Sequence, residues 1–283
     1  MKPIVYFYIP VFNEQETAGV LLYRLREVMQ KLKFDYMVLL TLDGCSDETP
    51  QVVAPYLQLM PVRVVDRSTR LGYCKSLWEA INQVSRESQN PKRDFFIVLD
   101  ADFTQDPNLL NELSGQVERN VDFCSGNRFA AGQGGFGLSK RLSNLVFPLL
   151  LRLKGVRLKD RVDLFTTLRG CRVQLLRRNL RQLKVLNDCG PEVPPAGAGL
   201  LLLLLLSRSS RKSYEVRFSE KTIRRRSSRF SIFRLLRFLL FFNFTEALTE
   251  TREPEPHHPR SRGRRRWKSN KRRPDPSKVK KPV

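Results

Sequence analysis

Histidine is nearly missing from this chain. Of 283 residues only His257 and His258 carry an imidazole, and both lie in a strongly basic stretch near the C-terminus. Ser-His-Asp catalysis, Cys-His catalysis and histidine-based metal sites are therefore excluded from the apolar, periodic part of the sequence. A general base there has to be a carboxylate or, failing that, Lys, Tyr or Cys. Cysteine is sparse too. Cys45, Cys74, Cys124, Cys171 and Cys189 are widely spaced, odd in number and form no CxxC pair. That pattern excludes a disulfide framework and a thiolate zinc site, and predicts reduced thiols in a cytosol-facing protein. No apolar run reaches the roughly 18 residues of a spanning helix. The opening MKPIVYFYIP meets a proline before an h-region could form, which predicts no secretory leader.

Acid is short relative to base, with 28 Asp and Glu against 51 Lys and Arg and a net charge of +23. Such an excess points to a polyanionic partner: nucleic acid, an anionic membrane surface or a phosphorylated substrate. The excess sits in the second half. Residues 252–283 hold 13 basic residues against 3 acids, and residues 208–237 hold 11 against 2, while the first 120 are close to balanced. The length suits one domain of about 200–250 residues with an appendage, and 41% hydrophobic residues suffice for a core.

The first 125 residues alternate two kinds of segment. PIVYFYI, FDYMVLLTL, VRVVD, FFIVLD and VDFCSG are continuous apolar runs of strand length, and between them lie amphipathic helical patterns over 17–32, 47–57, 72–84 and 106–117. Continuous apolar strands separated by helices predict an α/β fold with a mainly parallel sheet covered on both faces. A helix is expected over Leu138–Leu153, kinked or interrupted at Pro148. Residues 156–183 read as a loop or strand leading into a basic helix, DCGPEVPPAGAG as a linker, Leu200–Leu206 as a buried helix and YEVRF as a further strand.

The polar loops after the first four strands share one property. PVFNEQE, DGCSDET, DRSTRLGY and DADFTQDP all bear acid, and in an open parallel sheet such loops converge on one crevice. Asp47 and Asp106 fit as helix N-caps, but Asp43, Asp100 and Asp102 precede the helices by several residues. Two carboxylates at i and i+2, just past a buried strand, repel each other unless something neutralises them. Mg²⁺ or Mn²⁺ would do so while gripping phosphate oxygens of a substrate.

IPVFNEQET, DGCSDET and LDADFTQDP, in that order and at those intervals, resemble the inverting family 2 glycosyltransferases of the GT-A fold. The likeness is strongest to the polyprenyl-phosphate sugar transferases, of which dolichol-phosphate mannosyltransferase and undecaprenyl-phosphate sugar transferases are examples. It covers roughly residues 3–235. The resemblance implies nucleotide-sugar binding by Pro10, Phe12, Asn13, Glu14, Asp43, Gly44, Asp100, Ala101 and Asp102. Leu42 stands where the family carries the first aspartate of its D-D-G-S-x-D loop, and Cys45 is a further departure. Asp100, Asp102 and Gln105 are the implied holders of Mg²⁺ or Mn²⁺. Gly126-Asn127-Arg128 matches a family G-x-R element, KDRVDLFTTLRG its acidic residue ahead of a basic helix, and Glu215-Val216 with RRRSSRF its closing element, with Ser227 in place of the usual glycine.

The implied reaction is direct displacement at the anomeric carbon of a UDP- or GDP-linked sugar, with inversion. For a hydroxyl acceptor the candidate base is Asp163, with Asp160 in reserve. For a lipid phosphate, already anionic, orientation by Arg128, Arg224, Arg226 and Arg229 matters more. RRRSSRFSIFRLLRFLLFFNF reads as a helix lying in a membrane interface, with a domain packing of the same helix as the alternative. The expected organisation is a transferase domain over 1–229, an interfacial helix over 230–248 and a basic tail over 249–283 without apolar periodicity. Peripheral attachment to the cytoplasmic face of a membrane, with or without a separate membrane protein, follows from that reading. Two alternatives stand beside it: a family 2 transferase with a soluble acceptor, and a nucleic-acid-binding protein acting through RSRGRRRWKSNKRR. The absence of any RNP, zinc-finger or helix-turn-helix signature weighs against specific nucleic-acid recognition.

Overall fold

The computed structural model describes residues 2–32, 34–128, 138–154, 156, 163–164, 166–218 and 232–244, with backbone alone at 138–145 and 232. The expected alternation holds through the first half: β1 (Ile4–Val11), α1 (Ala18–Lys31), β2 (Asp35–Asp43), α2 (Thr49–Val53), α3 (Tyr56–Leu59), β3 (Val62–Arg67), α4 (Tyr73–Glu87), β4 (Phe95–Val98), α5 (Leu109–Glu118) and β5 (Phe123–Asn127). There follow α6 (Leu138–Leu153), β6 (Arg169–Arg172), three short helices α7 (Val173–Arg178), α8 (Leu180–Leu183) and α9 (Val185–Asp188), then α10 (Pro195–Ser209), β7 (Ser213–Arg217) and α11 (Ile232–Phe241).

The seven strands form one sheet in the order β3-β2-β1-β4-β6-β5-β7. The β1–β2, β1–β4, β2–β3 and β5–β7 pairs are parallel; β6 runs antiparallel to both of its neighbours. Six strands therefore end at one edge and β6 begins there. Strand order reverses between β1 and β4, which opens a crevice beyond their carboxyl ends. Along β1 the side chains alternate faces as a pleat requires. Val5, Phe7, Ile9 and Val11 join the cluster under α1, α2 and α5, whereas Tyr6 and Tyr8 join the cluster under α4 and α6–α11.

Two elements differ from expectation, each for a physical reason. Within 156–183 the strand alternative is met by β6, but the single basic helix expected after it is broken into short helices, α7 and α8. A sheet centre accepts RGCR because both arginines are satisfied by oxygen acceptors. Arg172 donates to Val121 O at 3.1 Å and Arg93 O at 2.6 Å. The supposed linker is in part helix: Pro195 opens α10, where its fixed φ and missing N–H are harmless, and Ala196 to Gly199 are its first buried turn. Within α10, Gly199 is required by space, since a Cβ there would lie 2.8 Å from the carbonyl oxygen of Thr166. The helix expected over Leu138–Leu153 is α6, and it runs through Pro148 without interruption.

The Leu200–Leu206 run is buried throughout, as expected. The compact unit spans Met1–Thr251 and includes α11. Leu235, Phe238 and Leu239 of α11 pack into the core while Phe233 is 83% and Phe241 81% exposed. Lys154 Nζ donates to Leu240 O at 2.5 Å and Phe242 O at 3.0 Å, satisfying carbonyls that a helix end leaves orphaned. Among the described residues no helix is long and apolar enough to cross a membrane.

Candidate active site

The loops after β1 and β2 are stitched together by short polar side chains. Asn13 sits at φ 53°, a left-handed conformation that asparagine tolerates. This lets its Oδ1 accept the Ser46 N–H at 2.8 Å while its Nδ2 donates to Ser46 Oγ at 3.1 Å. Glu14 is buried: its backbone N–H donates to Thr49 Oγ1 at 2.8 Å, and its carboxylate accepts the Thr17 hydroxyl at 2.9 Å. Asp47 accepts the Thr49 N–H at 3.1 Å and Asp106 the Asn108 N–H at 3.0 Å, but the N-cap positions fall at Glu48 and Asn108, so neither aspartate is the N-cap expected from the sequence. Phe12 lies under the guanidinium of Arg70, 3.9 Å from the ring centre.

Asp43 departs from expectation. Capping was not foreseen for it, yet its carboxylate accepts the N–H of Leu71 at 2.9 Å and of Gly72 at 2.8 Å, at the start of α4. Arg67 adds a charge-assisted contact at 3.2 Å. The anion thus sits against a helix N-terminus supplied by the next loop. Gly44, at φ 71°, lets that loop approach, because a Cβ would meet Arg70 N at 2.8 Å. Leu42 is buried in the core, so the departure from the family's acid places no second carboxylate beside Asp43.

Asp100 and Asp102 follow β4 with Ala101 buried between them. Gln105 is also buried, and its amide closes back on Asp100. Its Oε1 accepts the Asp100 N–H at 3.2 Å, and its Nε2 donates to Asp100 Oδ2 at 3.2 Å and to Thr167 Oγ1 at 2.9 Å. Thr167 in turn donates its hydroxyl to Asp100 Oδ2. Asp102 Oδ1 accepts both the N–H and the hydroxyl of Thr104, at 3.0 and 2.6 Å. Burial, and next the charge of Asp102, push the Asp100 carboxyl up to about 7, against a lowering by the Thr167 hydroxyl.

No group of three or more His, Cys, Asp and Glu side chains suited to a metal ion occurs among the described residues. Two half-buried carboxylates at i and i+2 that repel each other remain, oxygen donors only. That set fits Mg²⁺ or Mn²⁺, which take one or two protein carboxylates and fill their shell with water and phosphate oxygens.

Asp163 and Arg128 form one unit. Asp163 is fully buried, and its Oδ2 accepts the backbone N–H and Nε of Arg128 at 3.2 and 2.7 Å while Oδ1 accepts Nη2 at 3.1 Å. Both carboxylate oxygens of Asp163 are thus engaged by Arg128, which it clamps. Asp160, Arg224, Arg226 and Arg229 lie outside the described residues, as does the tail over 249–283. The charge of Arg128 reaches Asp100, where it opposes the upward shift.

Two residues in this crevice had no role in the sequence reading. Thr167 is one. Arg169 is the other, fully buried, donating to Asp163 O at 2.9 Å, Ser125 Oγ at 3.0 Å, Leu168 O at 3.1 Å and Gly199 O at 3.2 Å. Burial pulls it down to about 10, so it stays charged at neutral pH. Both stand in the quoted stretch KDRVDLFTTLRG, but the partners of Thr167, and Ser125 and Gly199 among those of Arg169, are remote in sequence.

Residues 6–180 match the model of glycosyl transferase family 2. The chain is 24% identical over 211 residues to a dolichol-phosphate mannosyltransferase of Pyrococcus furiosus, covering 75% of this chain and 54% of that protein. It is 23% identical over 243 residues to an undecaprenyl-phosphate 4-deoxy-4-formamido-L-arabinose transferase of an Enterobacter species, covering 86% and 67%. It spans about half the length of the first curated relatives it matches. In fold it is similar to glucosyl-3-phosphoglycerate synthase from Mycobacterium tuberculosis, solved with Mn²⁺, UDP and glucosyl-3-phosphoglycerate, at TM-score 0.55 and 16% identity over 90% of this chain and 81% of that one. The expected GT-A architecture is thereby met. The chain belongs to glycosyl transferase family 2.

Proposed function

We propose that this glycosyltransferase moves a sugar from a UDP- or GDP-linked donor to a polyprenyl phosphate, with inversion, at the surface of an anionic membrane. The observation that carries the reading is the pairing of two devices at one sheet edge. Asp100 and Asp102 supply anionic oxygens at the end of β4, and Arg128 at the end of β5 supplies a cation fixed by Asp163. One suits the donor's diphosphate, the other the acceptor's phosphate.

Phe12, Asn13, Glu14, Asp43 and Gly44 form the adjoining wall of the crevice and bind the nucleoside end. Asp100 and Asp102 hold Mg²⁺ or Mn²⁺, which when bound offsets the charge that builds on the leaving diphosphate. Gln105 serves by orienting Asp100. A lipid phosphate needs no base, and Arg128 orients it by charge-assisted contacts. Arg224, Arg226 and Arg229 are further candidates for that phosphate. The relatives named for dolichol and undecaprenyl phosphate support the acceptor class.

Membrane contact is carried by α11 and α6. Phe233, Leu240 and Phe241 lie exposed with Leu149 and Leu153, and Arg234 and Arg237 are exposed on the same helix as the phenylalanines. Apolar side chains entering the acyl boundary with arginines level with the headgroups is the arrangement of an interfacial helix, and the basic tail adds attraction to anionic lipid. Attachment to the cytoplasmic face, with or without a separate membrane protein, goes with this reading.

The test is transfer by the full chain from a panel of UDP- and GDP-sugars, with and without Mn²⁺, to polyprenyl phosphate. Formation of a polyprenyl phosphosugar supports the reading. Turnover with soluble acceptors alone would transfer the assignment to a different acceptor class.

A further inference from the structure

Thr167 is separated from Asp100 by 67 residues, yet its hydroxyl ends on that carboxylate. The directions of the bonds are forced. Gln105 Oε1 already accepts the Asp100 N–H, so its amide NH₂ faces Asp100 Oδ2 and Thr167 Oγ1. One lone pair of the Thr167 oxygen takes that N–H, and its own proton goes to Asp100 Oδ2. Asp100, Gln105 and Thr167 close a ring, and both donors on the carboxylate fall on Oδ2.

From this geometry we infer that Thr167 is a positioning residue: it pins Asp100 Oδ2 so that Oδ1 is presented to the cation on the donor diphosphate. The inference rests on the reading that Asp100 and Asp102 hold a divalent metal. Threonine suits the task because its branched Cβ restricts χ1, and the side chain is buried with little competing water. The position is also set from behind. Thr167 lies two residues before β6, which hydrogen-bonds to β4 itself, with Val98 opposite Arg169. Four residues earlier the same segment carries Asp163, the clamp of Arg128. One stretch of chain therefore spaces the metal-bearing carboxylate from the acceptor-side arginine.

The test is Mn²⁺ affinity, read by electron paramagnetic resonance on the full chain with UDP or GDP present, for wild type, Thr167→Val and Thr167→Ser. Outer-shell partners of metal ligands are worth about 10–100-fold in affinity. Thr167→Val should lose that much, and Thr167→Ser should recover most of it. Equal affinity of Thr167→Val and wild type overturns the inference, as does a serine variant as weak as the valine one, which would assign the effect to packing. Gln105→Leu opens the ring from its other side and should weaken Mn²⁺ in the same direction; unchanged affinity there overturns the inference even if Thr167→Val fails to fold. Wild type binding no Mn²⁺ with either nucleotide defeats the metal reading itself, and this inference with it.

Discussion

Asp163 holds Arg128 by three hydrogen bonds on two oxygens, at 2.7 to 3.2 Å, with the carboxylate wholly buried. Removing one member strands the other in a medium that cannot solvate it. Breaking such a pair costs about 3–5 kcal/mol. Asp163→Leu and Arg128→Met should each lower the melting temperature by on the order of 10 °C. The double variant should fall by less than the sum of the two, which a double-mutant cycle by thermal denaturation measures. Strict additivity would show that the pair is not coupled.

Asp102→Asn keeps the volume and the Thr104 contacts available to an amide oxygen, but removes the charge. Sugar transfer supported by Mn²⁺ should drop about a hundredfold or more, as a loss of roughly 3 kcal/mol implies, with circular dichroism and melting unchanged. Full activity in this variant contradicts the role assigned to that side chain.

A membrane role for α11 predicts that Phe233→Asp and Phe241→Asp weaken liposome binding without loss of stability, because both side chains are exposed. Burying one phenylalanine is worth about 1.5–3 kcal/mol, so each should weaken sedimentation with anionic vesicles about tenfold or more. Truncation after Thr245 should weaken it further, most strongly at low salt. Binding that ignores all three changes locates the contact elsewhere on the domain.

Gly199→Ala sets two effects against each other. Inside a helix alanine gains about 1 kcal/mol over glycine. Here its Cβ would meet Thr166 O at 2.8 Å, a backbone atom with little room to shift. Overpacking costs about 1–3 kcal/mol, so the net change should be destabilising, checked by chemical denaturation. A more stable variant would mean that α10 can retreat.

Much of this architecture was legible because the first five strands are apolar runs with helix-period segments between them, and the acid-bearing loops at their ends announced the crevice. β6 stayed undecided between loop and strand because its two arginines advertise a surface. Arg169 and Arg172 instead enter the interior with their donors satisfied chiefly by carbonyl oxygens, and no local pattern reveals partners 30 to 79 residues away. Thr167 stayed invisible for the same reason. Asp163 was legible as important but not as a clamp, since an acid in a sequence does not disclose which cation will face it. The start of α10 was misread because Pro-Pro-Ala-Gly-Ala-Gly carries turn residues, whereas their use here is close approach to Thr166 and Phe238.

Seven consecutive leucines give α10 no preferred side, so oil-and-water sorting cannot choose how far the rod is rolled about its own axis. That angle is chosen by notches and a latch: the flat spots at Gly197 and Gly199, and the guanidinium of Arg169 gripping the Gly199 carbonyl. Exchanging one leucine for isoleucine or methionine would leave the rolling angle alone, whereas losing the latch would allow several settings of nearly equal energy immediately behind Thr166.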